Sequence, residues 1–387
     1  MSNQTCILLL YEEMIPSVKL CAFEQMKYLE NKKAIQFIYC RSSDLTQEMC
    51  KKSDIVIFVR SNQKIEEELS YRFKKQGKLL IYVMDDDLLN INNNSLSSKY
   101  LKSQNAKKRI RNIMKQCSIL LTPSRELLEK YGQLFEKVIM IEEPCIGLEQ
   151  KIQVKNESDK IKIGFAGSID RAGDVDDLLS KVIIRLLDEY KDKISIEFIG
   201  AKPDIVRWRN LNYSGFSENY ENYKEKLIHA GWDIGLAPMP DTQFHRCKHY
   251  NKYMEYGSAG IIGVYSNLIP YNRIIRSYEN GILCANTEEE WYDAISWLIN
   301  NKEKRMSMIQ NIQKDMEYNY TIDKVTESLL SRLPELVTYS SKEYRPIPLN
   351  YIKLSNYWQK IYEFIIRNGW DSFSIAISKL KKGIRME

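Results

Sequence analysis

The chain has 387 residues, 44% of them hydrophobic and 28% charged, with a formal net charge of +6. That balance excludes a wholly disordered or fibrous protein, and the length exceeds what one hydrophobic core organises, so two packed units of about 150–200 residues are expected. Residues 341–387 hold nine Lys or Arg against four acids, so almost the whole charge excess sits in the tail, which argues against a nucleic-acid-binding surface.

The N-terminus, MSNQTCILLLYEE, has no basic leader, and its apolar run is far shorter than the ~20 residues that span a bilayer. Eight cysteines are scattered without a C-x-x-C pair, the usage of reduced thiols. A cytoplasmic protein is expected, with any membrane contact peripheral and on the inner face.

In chain order, short β-rich runs alternate with helical patterns, the signature of parallel sheets covered by helices. Strands are predicted at 6–11, 34–40, 54–60, 78–84, 118–123 and 137–143, with helices at 62–76 and 103–116. The polar stretch LEQKIQVKNESDK (148–160) reads as a linker. The alternation restarts with strands at 161–167, 194–200, 211–215, 233–238, 260–266 and 281–284, and helices near 174–190, 218–230, 248–258, 287–301 and 303–317. The expected fold class is α/β: two Rossmann-like doubly wound domains (1–147 and 161–335) facing a cleft, followed by a basic amphipathic helical tail (336–387). Ligands of such sheets bind beyond the carboxyl ends of the strands.

Several loops there carry polar groups. After the fourth strand, Asp85, Asp86 and Asp87 are open to three readings: a divalent-metal site, hydrogen bonding to a sugar or acceptor through Asp86 or Asp87, or a helix cap in a solvated loop. Ser17, Arg60 and Ser124 follow other first-half strands, where cleft contacts compete with capping and turn formation. In HRCKH, the alternation of His245, Cys247 and His249 admits a zinc site, cleft residues near a ligand, or ordinary loop packing. Lys252 and Glu255, at i and i+3, are able to form a plain surface ion pair.

The stretch GLAPMPDTQFHRCKHYNKYMEYGSAGIIGVYSN (235–267), with its K-Y-x-E-Y-x-x-x-G helix before an apolar strand, resembles the donor-binding segment of GT-B glycosyltransferases, specifically the large retaining bacterial family (group 1 or family 4-like). The resemblance implies that Glu255 binds the ribose of a sugar nucleotide, with Lys252 one turn earlier near the diphosphate and the helix N-terminus near Cys247 and Lys248 adding donors. FAGSIDRAGDVDDLL (165–179) is similar to the family's phosphate turn, which implies roles for Gly167, Ser168 and Arg171. Many members carry a second glutamate eight residues before the first; Cys247 stands there, and Asp241 and Thr242 are candidates to replace it. The donor phosphates of such enzymes are neutralised by basic groups, so no metal or other cofactor is implied.

These features point to a glycosyltransferase of polysaccharide biosynthesis, moving a sugar from a nucleotide-diphosphate sugar to a saccharide or lipid-linked glycan, retaining and metal-independent. The rival readings are a catalytically silent GT-B subunit and a sugar-nucleotide epimerase of the same architecture. In the tail, Tyr351, Leu354, Trp358, Ile361 and Ile365 fall on one helical face, and Trp370, Phe373, Ile377 and Leu380 on another. These helices either pack on the protein or contact an anionic membrane, with NAKKRIRNIMK (105–115) as a second basic contact.

Overall fold

The computed structural model describes residues 4–91, 100–145, 160–217, 219–341 and 343–368. The linker at 148–159 and the final helix at 370–385 lie outside them. The chain forms β1 (Cys6–Tyr11), β2 (Gln36–Arg41), β3 (Ile55–Val59), β4 (Leu79–Val83), β5 (Ile119–Thr122) and β6 (Lys137–Met140). These pair in parallel in the order β2-β1-β3-β4-β5-β6. A second parallel sheet has the order β12-β11-β10-β7-β8-β9, from β7 (Ile161–Gly167), β8 (Ile194–Gly200), β9 (Asn212–Gly215), β10 (Ile234–Ala237), β11 (Ile262–Ser266) and β12 (Ile282–Cys284). All twelve expected strands are present. The central ones, such as ILLL and IVIFV, are apolar on both faces because helices cover both sides of a parallel sheet.

One face of the first sheet packs against α2 (Lys64–Lys75), α3 (Gln104–Gln116) and α4 (Arg125–Tyr131) through Leu69, Phe73, Ile110, Met114 and Leu127. The other face packs against α1 (Glu24–Asn31). The second sheet is covered by α5 (Ala172–Tyr190), α6 (Tyr220–Ala230), the short α7 (Gln243–Arg246), α8 (Asn251–Ser258), α9 (Glu288–Asn300) and α10 (Lys302–Asn319).

The chain then crosses back. Leu329, Leu333 and Leu336, in and after α11 (Ile322–Arg332) and in α12 (Glu335–Thr338), enter the core of the first sheet. The crossing therefore comes near Tyr320, ahead of the boundary at 335 that the sequence suggests. It ends in α13 (Leu349–Asn368), which packs on α2, with Ile347, Leu349 and Ile352 closing the first core. All eight cysteines are free.

Candidate functional site

In each sheet the strand order reverses at one point, between β1 and β3 in the first and between β7 and β10 in the second. A crevice opens there because the flanking loops leave in opposite directions. The loop after β4 meets the loop after β10 through Asp86 and Lys248, with the loops after β1 and β3 joined to the first through Ser17 and Arg60, and the turn after β7 joined to the second through Arg171.

On the second-sheet side, Gly167 ends β7, and Gly200 lies so close that a Cβ on Gly200 would come within 2.2 Å of the Gly167 carbonyl oxygen. Ser168 follows as an exposed residue. The Arg171 Nη2 donates to the carbonyl of Pro238 at 2.5 Å, and its Nε sits 2.7 Å from Asp174. Arg171 thus clasps the ends of β7 and β10 together, and that edge of the guanidinium is committed to protein partners.

Helix α8 is seated by a second close approach. A Cβ on Gly235 would meet the Tyr256 ring at 2.6 Å, so glycine in β10 lets the helix lie flat on the strand. The adjacent Glu255 then faces outward from the core. Its Oε2 accepts from the Tyr223 hydroxyl at 2.7 Å and from Lys252, whose ammonium also donates to the Tyr223 oxygen at 2.9 Å. The Lys252–Glu255 pair is made, but its side chains are only 20% and 14% exposed, so it is no solvated surface pair. Tyr223, from α6, escaped the sequence reading. Its position one turn into a helix after β9 was legible, but its reach to α8 was not.

The helix expected near 248–258 is present but starts three residues later. Thr242 caps α7, accepting from the His245 N–H at 3.2 Å, and α8 begins only at Asn251. The segment between is pulled apart by contacts with the first sheet. Cys247 is buried in the core of the first sheet, which corrects its expected place in the cleft. His249 is buried between Glu142 and Glu143, and its ring stacks on Tyr250 at 3.9 Å. His245 instead contacts Thr242, with its Nδ1 2.8 Å from the hydroxyl oxygen. Burial, reinforced by Arg171 and Lys248, pushes the His245 imidazole down to about 4, which keeps it neutral at pH 7. The zinc arrangement of His245, Cys247 and His249 is therefore not formed, since the three side chains take different partners. Burial also pushes the Glu143 carboxyl up to about 7, opposed by His249 and assisted by Asp85.

Lys248 reaches across the cleft, where its ammonium donates to Asp86 Oδ1 at 2.9 Å. The other oxygen of Asp86 accepts from Arg60 Nη1 at 3.0 Å, and the same nitrogen donates to Asp85 at 2.7 Å and to Ser17 Oγ at 3.4 Å. Burial alone would raise the Asp86 pKa, but Lys248 and Arg60 overcome it and hold the carboxyl well below its usual range. Arg60 has φ +52°, a left-handed conformation that costs a non-glycine residue energy and is retained where its side chain must be aimed.

Other expected cleft residues lie elsewhere. Asp87 is fully buried, accepting from Tyr131 at 2.6 Å, Lys130 at 2.5 Å and Asn90 at 3.1 Å, so its role is to anchor the loop after β4. Ser124 is buried as the N-cap of α4, accepting from Leu127 N at 3.4 Å. Asp241 is exposed and held bidentately by Arg246 at 2.7 and 2.9 Å. Removal of the Asp87 carboxylate would strand a partly buried ammonium and a buried phenol. Asp87→Ala is expected to destabilise the fold by about 3–5 kcal/mol, read as a lower urea midpoint at unchanged m.

No family model and no curated relative matches the sequence. Solved structures do match. Anabaena Alr3699/HepE in complex with UDP and glucose aligns at TM-score 0.59 and 13% identity, over 85% of this chain and 99% of that one. The fold is that of the GT-B glycosyltransferases. A Rickettsia africae glycosyltransferase aligns at TM-score 0.59 and 14% identity, over 86% and 99% of the two chains. The GT-B fold also holds a putative UDP-N-acetylglucosamine 2-epimerase from Listeria monocytogenes, similar at TM-score 0.54 and 11% identity over 89% and 100%. In GT-B terms, the Glu255 and Gly167 loops lie on the second sheet's side of the cleft, and Arg60 and Asp86 on the first sheet's.

Proposed function

We propose that this protein is a metal-independent, retaining glycosyltransferase that moves a sugar from a nucleotide-diphosphate sugar to a saccharide or lipid-linked glycan. The observation that carries the reading is the Glu255–Lys252–Tyr223 cluster beside the β7–β10 switch point, with Lys248 a few residues away. An ionised carboxylate is the strongest bidentate acceptor for two ribose hydroxyls. Lys252 and Lys248 supply positive charge for a diphosphate, and the glycine turn at Gly167 and Ser168 lets it approach. Charge developing on the leaving phosphate is then met by fixed cations, which is the work a metal would otherwise do. HepE's UDP and glucose support a donor of that class.

Across the cleft, Arg60, Ser17 and Asp86 would face the acceptor. The acceptor hydroxyl attacks on the face that the phosphate leaves, and the departing phosphate oxygen takes its proton. Closure of the two sheets excludes water from the reacting carbon. A second reading, a silent GT-B subunit, draws on the burial of Cys247 at a position where a sugar-binding glutamate would need exposure.

The test is thermal stabilisation by UDP, GDP, ADP, CMP and dTDP sugars with EDTA present, followed by product analysis with glycan acceptors. A ligand that binds only the folded state raises the melting temperature by mass action. Stabilisation by one donor and acceptor-dependent release of its nucleotide in EDTA would support the transferase. Stabilisation without turnover would support the silent subunit, conversion of the donor without acceptor would support an epimerase, and turnover abolished by EDTA would end the metal-independent reading.

A further inference from the structure

In α13 most of the face that the sequence marks as apolar turns outward. Ile352 and Asn356 turn inward, and Asn356 accepts from the Ile65 N–H of α2 at 3.2 Å. Tyr351, Leu354, Tyr357, Trp358 and Tyr362 turn outward; Tyr351 is 72% exposed, Trp358 60% and Tyr362 56%. Ile361, expected on the same face, is buried. The result is an aromatic ridge of four rings with polar tips, three turns long. Single exposed apolar residues need no explanation, but such a row does.

Helix α3 lies alongside and antiparallel. Asn112 and Gln116 line a groove with Tyr351 and Ser355 at one end, and Arg109 joins Glu363 at 2.9 Å at the other. The α3 helix carries five basic residues and no acid. Lys108, Arg111 and Lys115 are exposed, and none of the three pairs with an acid among the described residues. A basic row therefore borders the aromatic ridge on the outer layer covering one face of the first sheet.

We infer that the α3–α13 face docks on an anionic lipid surface. The chemistry selects that occupant. Tyrosine and tryptophan favour the lipid headgroup level, where the ring body is apolar and the hydroxyl or indole N–H stays wet. Uncompensated lysine and arginine beside them are attracted by anionic headgroups. Among the described residues no helix is long and apolar enough to cross a membrane, so the contact is interfacial. The ridge also leads to the cleft, since Lys360 on α13 pairs with Glu12 in the loop after β1. Resting on the proposed transferase, docking by this face brings the acceptor side of the cleft to the membrane, where a lipid-linked glycan would be found.

The experiment is flotation of the full chain with vesicles of phosphatidylcholine, with and without phosphatidylglycerol. Wild-type protein is expected to float only with the anionic vesicles, and less as salt rises. Lys108→Glu with Arg111→Glu and Lys115→Glu is expected to weaken binding on the order of 100-fold. Trp358→Ser with Tyr362→Ser should weaken it about tenfold or more, and both variants should keep the wild-type melting temperature. Failure of the wild type to float with anionic vesicles would overturn the inference, as would flotation unchanged in both variants. A concentration-dependent dimer that Trp358→Ser dissociates, without any lipid binding, would overturn it in favour of a second copy. Flotation requires neither donor nor turnover, so failure of the transferase reading shows separately, as absence of nucleotide-dependent stabilisation in protein that still floats.

Discussion

Replacing Glu255 with alanine is expected to lower kcat/KM for the nucleotide-sugar donor by about 10²–10⁴-fold, since two hydrogen bonds to a charged acceptor contribute about 1.5–3 kcal/mol each. The same variant should lose the donor-induced rise in melting temperature. Glu255 has 14% side-chain exposure and sits with Tyr223 and Lys252 as its partners. Ribose hydroxyls must therefore share or replace those partners. Glu255→Gln keeps the shape and one acceptor but not the charge, so an intermediate loss is expected. Titration calorimetry with the nucleoside diphosphate checks this directly. Equal affinity in wild type and Glu255→Ala would remove this residue from the donor site.

The second large effect concerns the ion pair across the cleft. Lys248 is held by Asp86 at 2.9 Å, and in the proposed donor site a phosphate would take the same cation. Asp86 and the incoming diphosphate are like charges, and at about 5 Å in a partly screened site their repulsion amounts to about 1–3 kcal/mol. Asp86→Asn is thus expected to tighten binding of the nucleoside diphosphate about tenfold or more, with a smaller gain for the monophosphate and none for the nucleoside. Lys248→Ala should weaken the diphosphate by a similar factor. A purely structural bridge would instead make both substitutions change all three ligands alike. If Asp86→Asn weakens the diphosphate, the carboxylate is needed to hold Lys248 in place and does not compete with phosphate.

The two substitutions at Asp86 and Asp87 separate groups that the sequence presents as equivalents. In IYVMDDDLLN the three carboxylates are consecutive, and no local pattern says which of them turns inward. The loop after β4 sends Asp85 and Asp86 to Arg60, and sends Asp87 to Tyr131, Lys130 and Asn90. A metal reading, a sugar or acceptor reading and a helix-cap reading were open at the level of sequence. The structure places two cations against Asp86.

What the sequence determined by itself is the architecture. Strands buried on both faces are written as unbroken apolar runs, and their alternation with amphipathic helices is a local property, so all twelve strands and the restart of the pattern at Ile161 were legible. The glycines of the Gly167 turn and the Lys252–Glu255 spacing on one helix were legible for the same reason. What only the tertiary structure decided is which side chains meet. Lys248 and Asp86 are 162 residues apart, and Tyr223 and Glu255 are 32 apart on different helices. Cys247 left the expected cleft because the core of the first sheet takes it up, and the outward face of α13 was fixed by the side that packs on α2. Periodicity reports how a segment presents its own two faces, whereas partners follow from how separate elements are brought together, and no short stretch of chain records that.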